Sequence, residues 1–388
     1  MNVLQIHTKY QQSGGEDTVV AAEAGLLRDA GHTVRLFEEH NHGGTTGAAQ
    51  LAGALWNPRS ARRLESSIEV TRPDVAHLHN TWFAMSSSVV RRLQTLKVPT
   101  VMTLHNYRLT CANALLLRDG RPCELCVTGS PLQAVRYGCY RSRPETLVAA
   151  GAVALHRRIG TWAHKVDLFL ALTEFMKSIM VRAGLPESKI VVKPNFTADP
   201  GPRIHPAEQS DTVVFVGRLS EEKGALRLLE SWSAAPPKGL RLKIIGDGPL
   251  RSALEAQAPS SVEFLGYLPH NEVPALLRSA RAMVFPSTWY EGLPMTIVEA
   301  FAAGLPVLAN DLGAMASIVK PLGAHWLVPP AGTTVADPWV DALARLTDSP
   351  AVQEASVQAR ATYEATYTPQ TNLVALEDAY QRVITNTS

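Results

Sequence analysis

The feature that most constrains this chain is a pattern that runs once, stops, and starts again: short apolar runs alternate with helix-length segments through both halves. Such alternation specifies βαβ units, and their crossovers build parallel sheets. In the first half the predicted strands are Val3–His7, Thr33–Phe37, Val75–His79, Thr100–Leu104, Leu168–Leu172 and Ile190–Val192, with helices over Glu16–Ala30, Ser86–Leu96 and Arg143–Ala163. The second half restarts with Thr212–Val216, Leu242–Ile245, Val262–Leu265, Ala282–Phe285, Pro306–Ala309 and His325–Val328. Between them lies Lys193-Pro194-Asn195-Phe196, then Asp199-Pro200-Gly201-Pro202 and Pro206, the composition of a domain boundary.

At 388 residues the chain exceeds what one core holds, since cores stop growing near ~250–300 residues. The expected fold class is α/β, with two Rossmann-like domains over 1–195 and 211–368 and a linker at 196–210. Helices over Ala351–Thr366 and Gln370–Ile384 follow the last strand, and the segment 369–388 is expected to return toward the first domain.

Met1 to His7 reads as a strand rather than a signal peptide, and the Ala/Gly-rich stretch Thr146–Leu155 is far shorter than the ~20 residues of a membrane span. A cytoplasmic protein is expected. Charge is uneven: residues 1–195 carry 23 Lys and Arg against 15 Asp and Glu, and the remainder 14 against 20. A basic half can meet an anionic membrane face or an acidic partner, or be a solvated Arg-rich surface. No nucleic-acid partner is expected.

Polar residues gather just past the predicted strands, where ligands bind in open α/β sheets. After the first strand comes Ser13-Gly14-Gly15-Glu16-Asp17, whose glycines admit a close ligand and whose helix N-terminus favours anions; a plain turn is the other reading. The next two sites are His77-Leu78-His79-Asn80 and Thr103-Leu104-His105-Asn106. His77 reads better as a buried, hydrogen-bonded histidine, and His105, closing the most apolar strand, as a site residue.

In the second half, Gly217 makes a tight turn, and Arg218 and Lys223 offer a planar fork and a mobile point charge to phosphate oxygens. Gly246-Asp247-Gly248-Pro249 reads equally as a turn, with Pro249 at the first helical position, or as room for a nucleotide base. The most specific stretch runs from Phe285 to Val307. Glu291 precedes a helix opened by Pro294 and closed by Gly304, and Glu299 interrupts its apolar face; two carboxylates so placed can reach the hydroxyls of two sugars in one donor.

These residues resemble glycosyltransferase family 4, of GT-B fold, whose Glu-x7-Glu motif stands here as Glu291 and Glu299. The resemblance extends over Gly14 to Glu16, His105, Gly217-Arg218 with Lys223, Gly246-Asp247-Gly248, and Glu291 to Pro306. It implies two domains facing each other across a cleft. It further implies that Arg218 and Lys223 bind the donor diphosphate, Glu299 holds the ribose, and Glu291 contacts the transferred sugar, with His105 nearby. Gly15, Gly217, Gly246, Gly248 and Gly292 join the donor site, and Gly14, Glu16, His79 and Asn106 the acceptor side. The implied reaction is retaining transfer of a hexose-type sugar from a nucleoside-diphosphate sugar to a glycan or lipid-linked glycan, in polysaccharide or glycoconjugate assembly, with no cofactor for catalysis.

The chain departs from the family pattern between Tyr107 and Arg141, a window holding all four cysteines: Cys111, Cys123, Cys126 and Cys139. Clustered thiols around a Cys-x2-Cys core suggest structural zinc; an iron–sulfur cluster and metal-free cysteines are the alternatives. Two other functions stay open. An NAD-dependent oxidoreductase requires a dinucleotide fingerprint that follows the first strand of neither half. A non-catalytic sugar-nucleotide-binding module requires donor binding without turnover.

Overall fold

The computed structural model describes residues 1–10, 14–42, 50–51, 53–329 and 337–387. Six parallel strands form the first sheet: β1 (Asn2–Lys9), β2 (Thr33–His40), β3 (Val75–Asn80), β4 (Thr100–Leu104), β5 (Leu168–Ala171) and β6 (Ile190–Val192), in the order β2-β1-β3-β4-β5-β6. The second holds β7 (Thr212–Val216), β8 (Arg241–Ile245), β9 (Val262–Gly266), β10 (Ala282–Phe285), β11 (Val307–Asn310) and β12 (Leu327–Val328), in the order β9-β8-β7-β10-β11-β12. Strands β3, β4, β5, β10 and β11 are buried along their whole length. Covered on both faces, β5 and β10 read as continuous apolar runs, whereas β3 carries His77, His79 and Asn80 into the interior.

Each sheet reverses its strand order once, between β1 and β3 in the first and between β7 and β10 in the second. Beyond the carboxyl ends of the strands at such a switch point the crossovers part to opposite sides and leave a crevice.

One compact unit comprises Met1–Arg118, Cys123–Asn195 and the chain from Asn372 onward; the other comprises Asp119–Pro122 and Phe196–Thr371. In the first, helix α1 (Gly15–Asp29) carries Ala24 and Leu27 into a core with Val3, Val75, Val101 and Leu168. The last helix, Pro369–Thr387, adds Leu376, Ala379, Tyr380 and Val383 to that core. Among the described residues no helix is long and apolar enough to cross a membrane.

Two local expectations are corrected. The helix predicted over Arg143–Ala163 is α2 (Arg143–Arg158) followed by a separate turn of helix, Thr161–Lys165. Gly160 between them is left-handed, at φ 63°, which no helix interior allows. Pro249 lies outside the short helix Arg251–Glu255, whose N-cap is Leu250, because Pro249 and Leu250 first form a turn closed by Arg251 N–H to Gly248 O.

Candidate functional site

The switch point of the second sheet gathers charge. Lys223 closes the single turn Glu221–Lys223 that follows β7, and Glu291 lies six residues past the end of β10. Lys223 Nζ meets Glu291 Oε1 at 2.7 Å, and the same oxygen accepts from Ser287 Oγ and Trp289 Nε1, both at 2.9 Å. Three donors on one oxygen fix a carboxylate that is only 7% exposed. The Lys223 ammonium also lies 5.5 Å from the Trp289 ring centroid and 5.9 Å from that of Phe285, so its charge is held against two rings.

Arg218, two residues past β7, is exposed, and its guanidinium has no hydrogen-bond or ion-pair partner among the described residues. Helix α3 (Met295–Ala302) carries Glu299 half-buried, and its carboxylate likewise pairs with nothing described. Burial pushes the Glu299 carboxyl above its usual range, with His270 opposing the rise. A desolvated carboxylate without an internal donor is unfavourable until hydroxyl groups bond to it. The reading of Glu299 as a salt-bridged structural residue therefore loses its partner.

The glycines here have a packing reason. A Cβ on Gly246 (φ 134°) would lie 2.0 Å from Gly217 O, and one on Gly248 2.4 Å from Leu219 O. The loops after β7 and β8 stack through Gly217 N–H to Ile245 O (3.0 Å) and Leu219 N–H to Asp247 O (2.9 Å). Gly246 and Gly248 thus allow the two loops to approach each other closely. Gly292 follows Glu291 in the loop before α3.

At the first switch point the expected glycines sit as a helix start. Gly14 is the N-cap of α1, its N–H bonded to Asp17 Oδ2 at 2.8 Å, and Asp17 Oδ1 meets His7 Nε2 at 2.8 Å. A Cβ on Gly14 or Gly15 would meet nothing within 4 Å, so open space faces both. Ser13 lies outside the described residues. Glu16 accepts the Tyr10 hydroxyl at 2.6 Å, and burial pushes its carboxyl up to about 8.

Beneath this rim lies a buried polar network that the sequence did not disclose. His105 Nε2 meets His79 Nδ1 at 3.0 Å, and His79 Nε2 lies 3.8 Å from Glu23 Oε2. Glu23, wholly buried on α1, is paired with Lys193, 2% exposed, just past β6. His77 bonds Tyr380 OH at 2.8 Å and Thr103 Oγ1 at 2.7 Å, which makes it the hydrogen-bonded core histidine the sequence favoured. Burial, with Lys193 and neighbouring histidines, holds His77, His79 and His105 well below the usual imidazole range, so all three are neutral. His79 is 3% exposed and meets His105. Asn106 Oδ1 caps the next turn by accepting Arg108 N–H at 2.9 Å.

The four cysteines are free thiols. Cys111 Sγ donates to Asn113 Oδ1 at 2.9 Å, Cys126 Sγ to Pro131 O at 3.8 Å, and burial beside the other three thiols pushes Cys126 up to about 11. The described metal-ligand side chains that bring three ligand atoms within 4.8 Å of one another are Glu23, His77 and His79, not the thiols. A tetrahedral four-sulfur site holds every thiolate at ~2.3 Å from one ion. In this arrangement no three of the four sulfurs lie within 4.8 Å of one another. Nor does the Glu23 cluster fit a cation, because Lys193 already pairs with Glu23 and His77 already uses both ring nitrogens.

Comparison with known proteins places this geometry. Residues 13–198 match the model of Glycosyltransferase Family 4, and residues 210–349 that of Glycosyl transferases group 1. The chain is 31% identical over 180 residues to WcaL of Escherichia coli (strain K12), provisionally described as a colanic acid biosynthesis glycosyltransferase, covering 42% of this chain and 44% of that one. It is 28% identical over 274 residues to the 2-deoxystreptamine N-acetyl-D-glucosaminyltransferase of Streptomyces fradiae, covering 66% and 59%. These matches span about half the length of the two relatives. The crystal structure of Anabaena Alr3699/HepE in complex with UDP superposes with a TM-score of 0.67 at 16% identity, covering 97% of this chain and 99% of that one. With both sheets in place and the two family models spanning most of its length, the chain belongs to the family 4 glycosyltransferases and has the GT-B fold.

Proposed function

We propose that the protein transfers a hexose-type sugar from a nucleoside-diphosphate sugar to a glycan or lipid-linked glycan, with retention of anomeric configuration, in polysaccharide or glycoconjugate biosynthesis. The observation that carries the reading is the Lys223–Glu291 pair at the second switch point, with the Arg218 guanidinium and the Glu299 carboxylate unpaired among the described residues. In this reading the Glu299 carboxylate accepts the ribose hydroxyls, which supply the donors it lacks. Glu291, held by Lys223, Ser287 and Trp289, orients hydroxyls of the transferred sugar.

As the bond between the anomeric carbon and the diphosphate oxygen breaks, negative charge grows on the leaving group, and Arg218 and Lys223 stabilise it there. The acceptor hydroxyl attacks from the same face, and its proton passes to the departing phosphate oxygen. A cation about 4 Å from that oxygen is worth ~4 kcal/mol at an effective dielectric of 20. His105, neutral and fixed by His79, serves as a hydrogen-bonding group beside the sugar rather than as a cation.

The proposed location is the cytoplasm, at or near the membrane face where a lipid-linked acceptor would lie. A structural zinc at Cys111, Cys123, Cys126 and Cys139 is a separate proposal: it needs Cys111 and Cys126 to exchange Asn113 and Pro131 for the ion. One zinc per chain, lost on replacing Cys123 and Cys126 with serine, supports it, and four freely titrating thiols without metal refute it.

The transferase reading is tested by a panel of UDP-, GDP- and ADP-sugars, with and without chelator, followed by nucleoside diphosphate release and thermal stabilisation. Stabilisation and turnover with one donor, and a product of unchanged anomeric configuration by NMR, support it. Tight donor binding without turnover across an acceptor panel favours a non-catalytic sugar-nucleotide-binding module, and absence of any donor response overturns the reading.

A further inference from the structure

The first switch point is flanked by a cavity of about 380 Å³, within the ~300–1,000 Å³ of small-molecule sites. Its wall is assembled from segments far apart in sequence: Tyr10 after β1, Trp82 after β3, Arg108 after β4, and Tyr140 with Arg141 at the end of the cysteine-rich window. The Arg108 guanidinium lies 5.0 Å from the Trp82 ring centroid and 5.2 Å from that of Tyr140, and the Arg141 guanidinium lies 5.4 Å from the Tyr140 ring. Arg108 donates to the Ala112 carbonyl and pairs with no carboxylate among the described residues.

An arginine held this way keeps its charge, and with no internal anion its remaining N–H groups are available to a planar oxyanion. The carboxyl that acts on it electrostatically, Glu16, bonds Tyr10 and is pushed up to about 8, so at neutral pH it supplies little negative charge. Trp82 contributes a buried indole N–H with no partner among the described residues. Aromatic faces beside unpaired donors are the features of a site for a charged sugar: apolar sugar faces pack on the rings and the oxyanion meets the fork.

We propose that this cavity recognises an acceptor glycan through an anionic group, a phosphate or carboxylate borne by the sugar, with Arg108 and Arg141 holding the oxyanion and Trp82 and Tyr140 packing against the ring. The word acceptor rests on the transferase reading. The charge selectivity of the cavity does not.

The test is calorimetric titration of the full chain, with its donor site saturated by UDP, or by GDP or ADP where that is the nucleotide it binds. The probes are glucose 6-phosphate, glucuronate and the neutral methyl α-glucoside. A charge-assisted pair predicts that a charged probe binds at least ~10-fold more tightly than the neutral one. Arg141→Gln, at an exposed position, reduces that preference, Arg108→Gln abolishes it, and Arg108→Lys restores only part, because an ammonium lacks the stacked fork. Nucleotide binding stays unchanged in every variant, and an unchanged thermal unfolding profile reports that the unit carrying Arg108 and Arg141 is intact. Preference for glucose 6-phosphate over glucuronate assigns a phosphate, and the reverse a carboxylate. Equal binding of charged and neutral probes, or no binding of charged probes while nucleotide binds, overturns the proposal. Failure of the wild type to bind any nucleotide or donor overturns the transferase reading instead, and the charge preference still decides the cavity.

Discussion

Replacing Lys193 with methionine probes the buried network under His105. Lys193 and Glu23 are 2% and 0% exposed, and they pair beneath a roof of neutral histidines. Methionine keeps most of the lysine volume and removes its charge, leaving the Glu23 carboxylate in the core without its counter-ion. Breaking a buried pair in this way costs ~3–5 kcal/mol, a large part of the 5–15 kcal/mol that holds a typical domain together. The structure also supplies the variant's escape. His79 Nε2 and His77 Nδ1 lie 3.8 and 4.0 Å from Glu23 Oε2, so one imidazole, freed from Lys193 and facing an uncompensated carboxylate, gains affinity for a proton.

That proton is bound in the folded variant and not in the folded wild type. The penalty of Lys193→Met therefore shrinks as pH falls through the imidazole range, by up to ~1.4 kcal/mol per pH unit. Denaturant unfolding of both proteins at pH 8, 7 and 6, at fixed ionic strength, measures it. The double change Glu23→Gln with Lys193→Met removes both charges and should recover much of the loss at pH 8. A penalty below ~1 kcal/mol at pH 8, or one independent of pH, refutes the reasoning.

Three further outcomes follow from the same geometry. Lys223→Ala removes the cation proposed for the leaving group; with Lys223 one-quarter exposed and screened, kcat/KM should fall ~10²- to 10³-fold while the unfolding midpoint moves little, and a change under ~3-fold refutes its role. Glu16→Gln should be nearly neutral in stability at pH 4 and increasingly stabilising relative to wild type as pH rises toward 8, levelling off above it: a carboxyl raised to about 8 in the fold binds its proton more tightly than the unfolded chain does, so its contribution is present below its ordinary range and lost as pH rises through about 8. A flat difference between the two proteins across that range counts against a buried Glu16 carboxyl. Gly246→Ala should cost more than ~2 kcal/mol by denaturant unfolding, because φ 134° and a Cβ 2.0 Å from Gly217 O are both forbidden to alanine, and it should weaken donor binding by shifting the loop that carries Arg218.

The sequence by itself determined the two sheets, because strands buried on both faces tend to be written as apolar runs, as β5 and β10 are, each inside a repeating alternation with helix-length segments. It also exposed Glu299, since a carboxylate in an otherwise apolar helix has no local reason to be there. The end of α2 was misread because one glycine at position 160 fits inside a helical pattern, and its left-handed φ does not appear in the residue letters. Which polar groups meet was decided by the tertiary structure alone. Glu23 is an unremarked acid on a helix, Lys193 reads as part of a linker, and Tyr380 lies 303 residues from the His77 it bonds. Arg108, Trp82 and Tyr140 likewise share no spacing rule, and they meet because β3 and β4 are neighbours and the window after β4 folds back on their ends. Periodicity records which face of an element is dry, whereas the pairing of charges across elements is set by strand order, which local sequence does not encode.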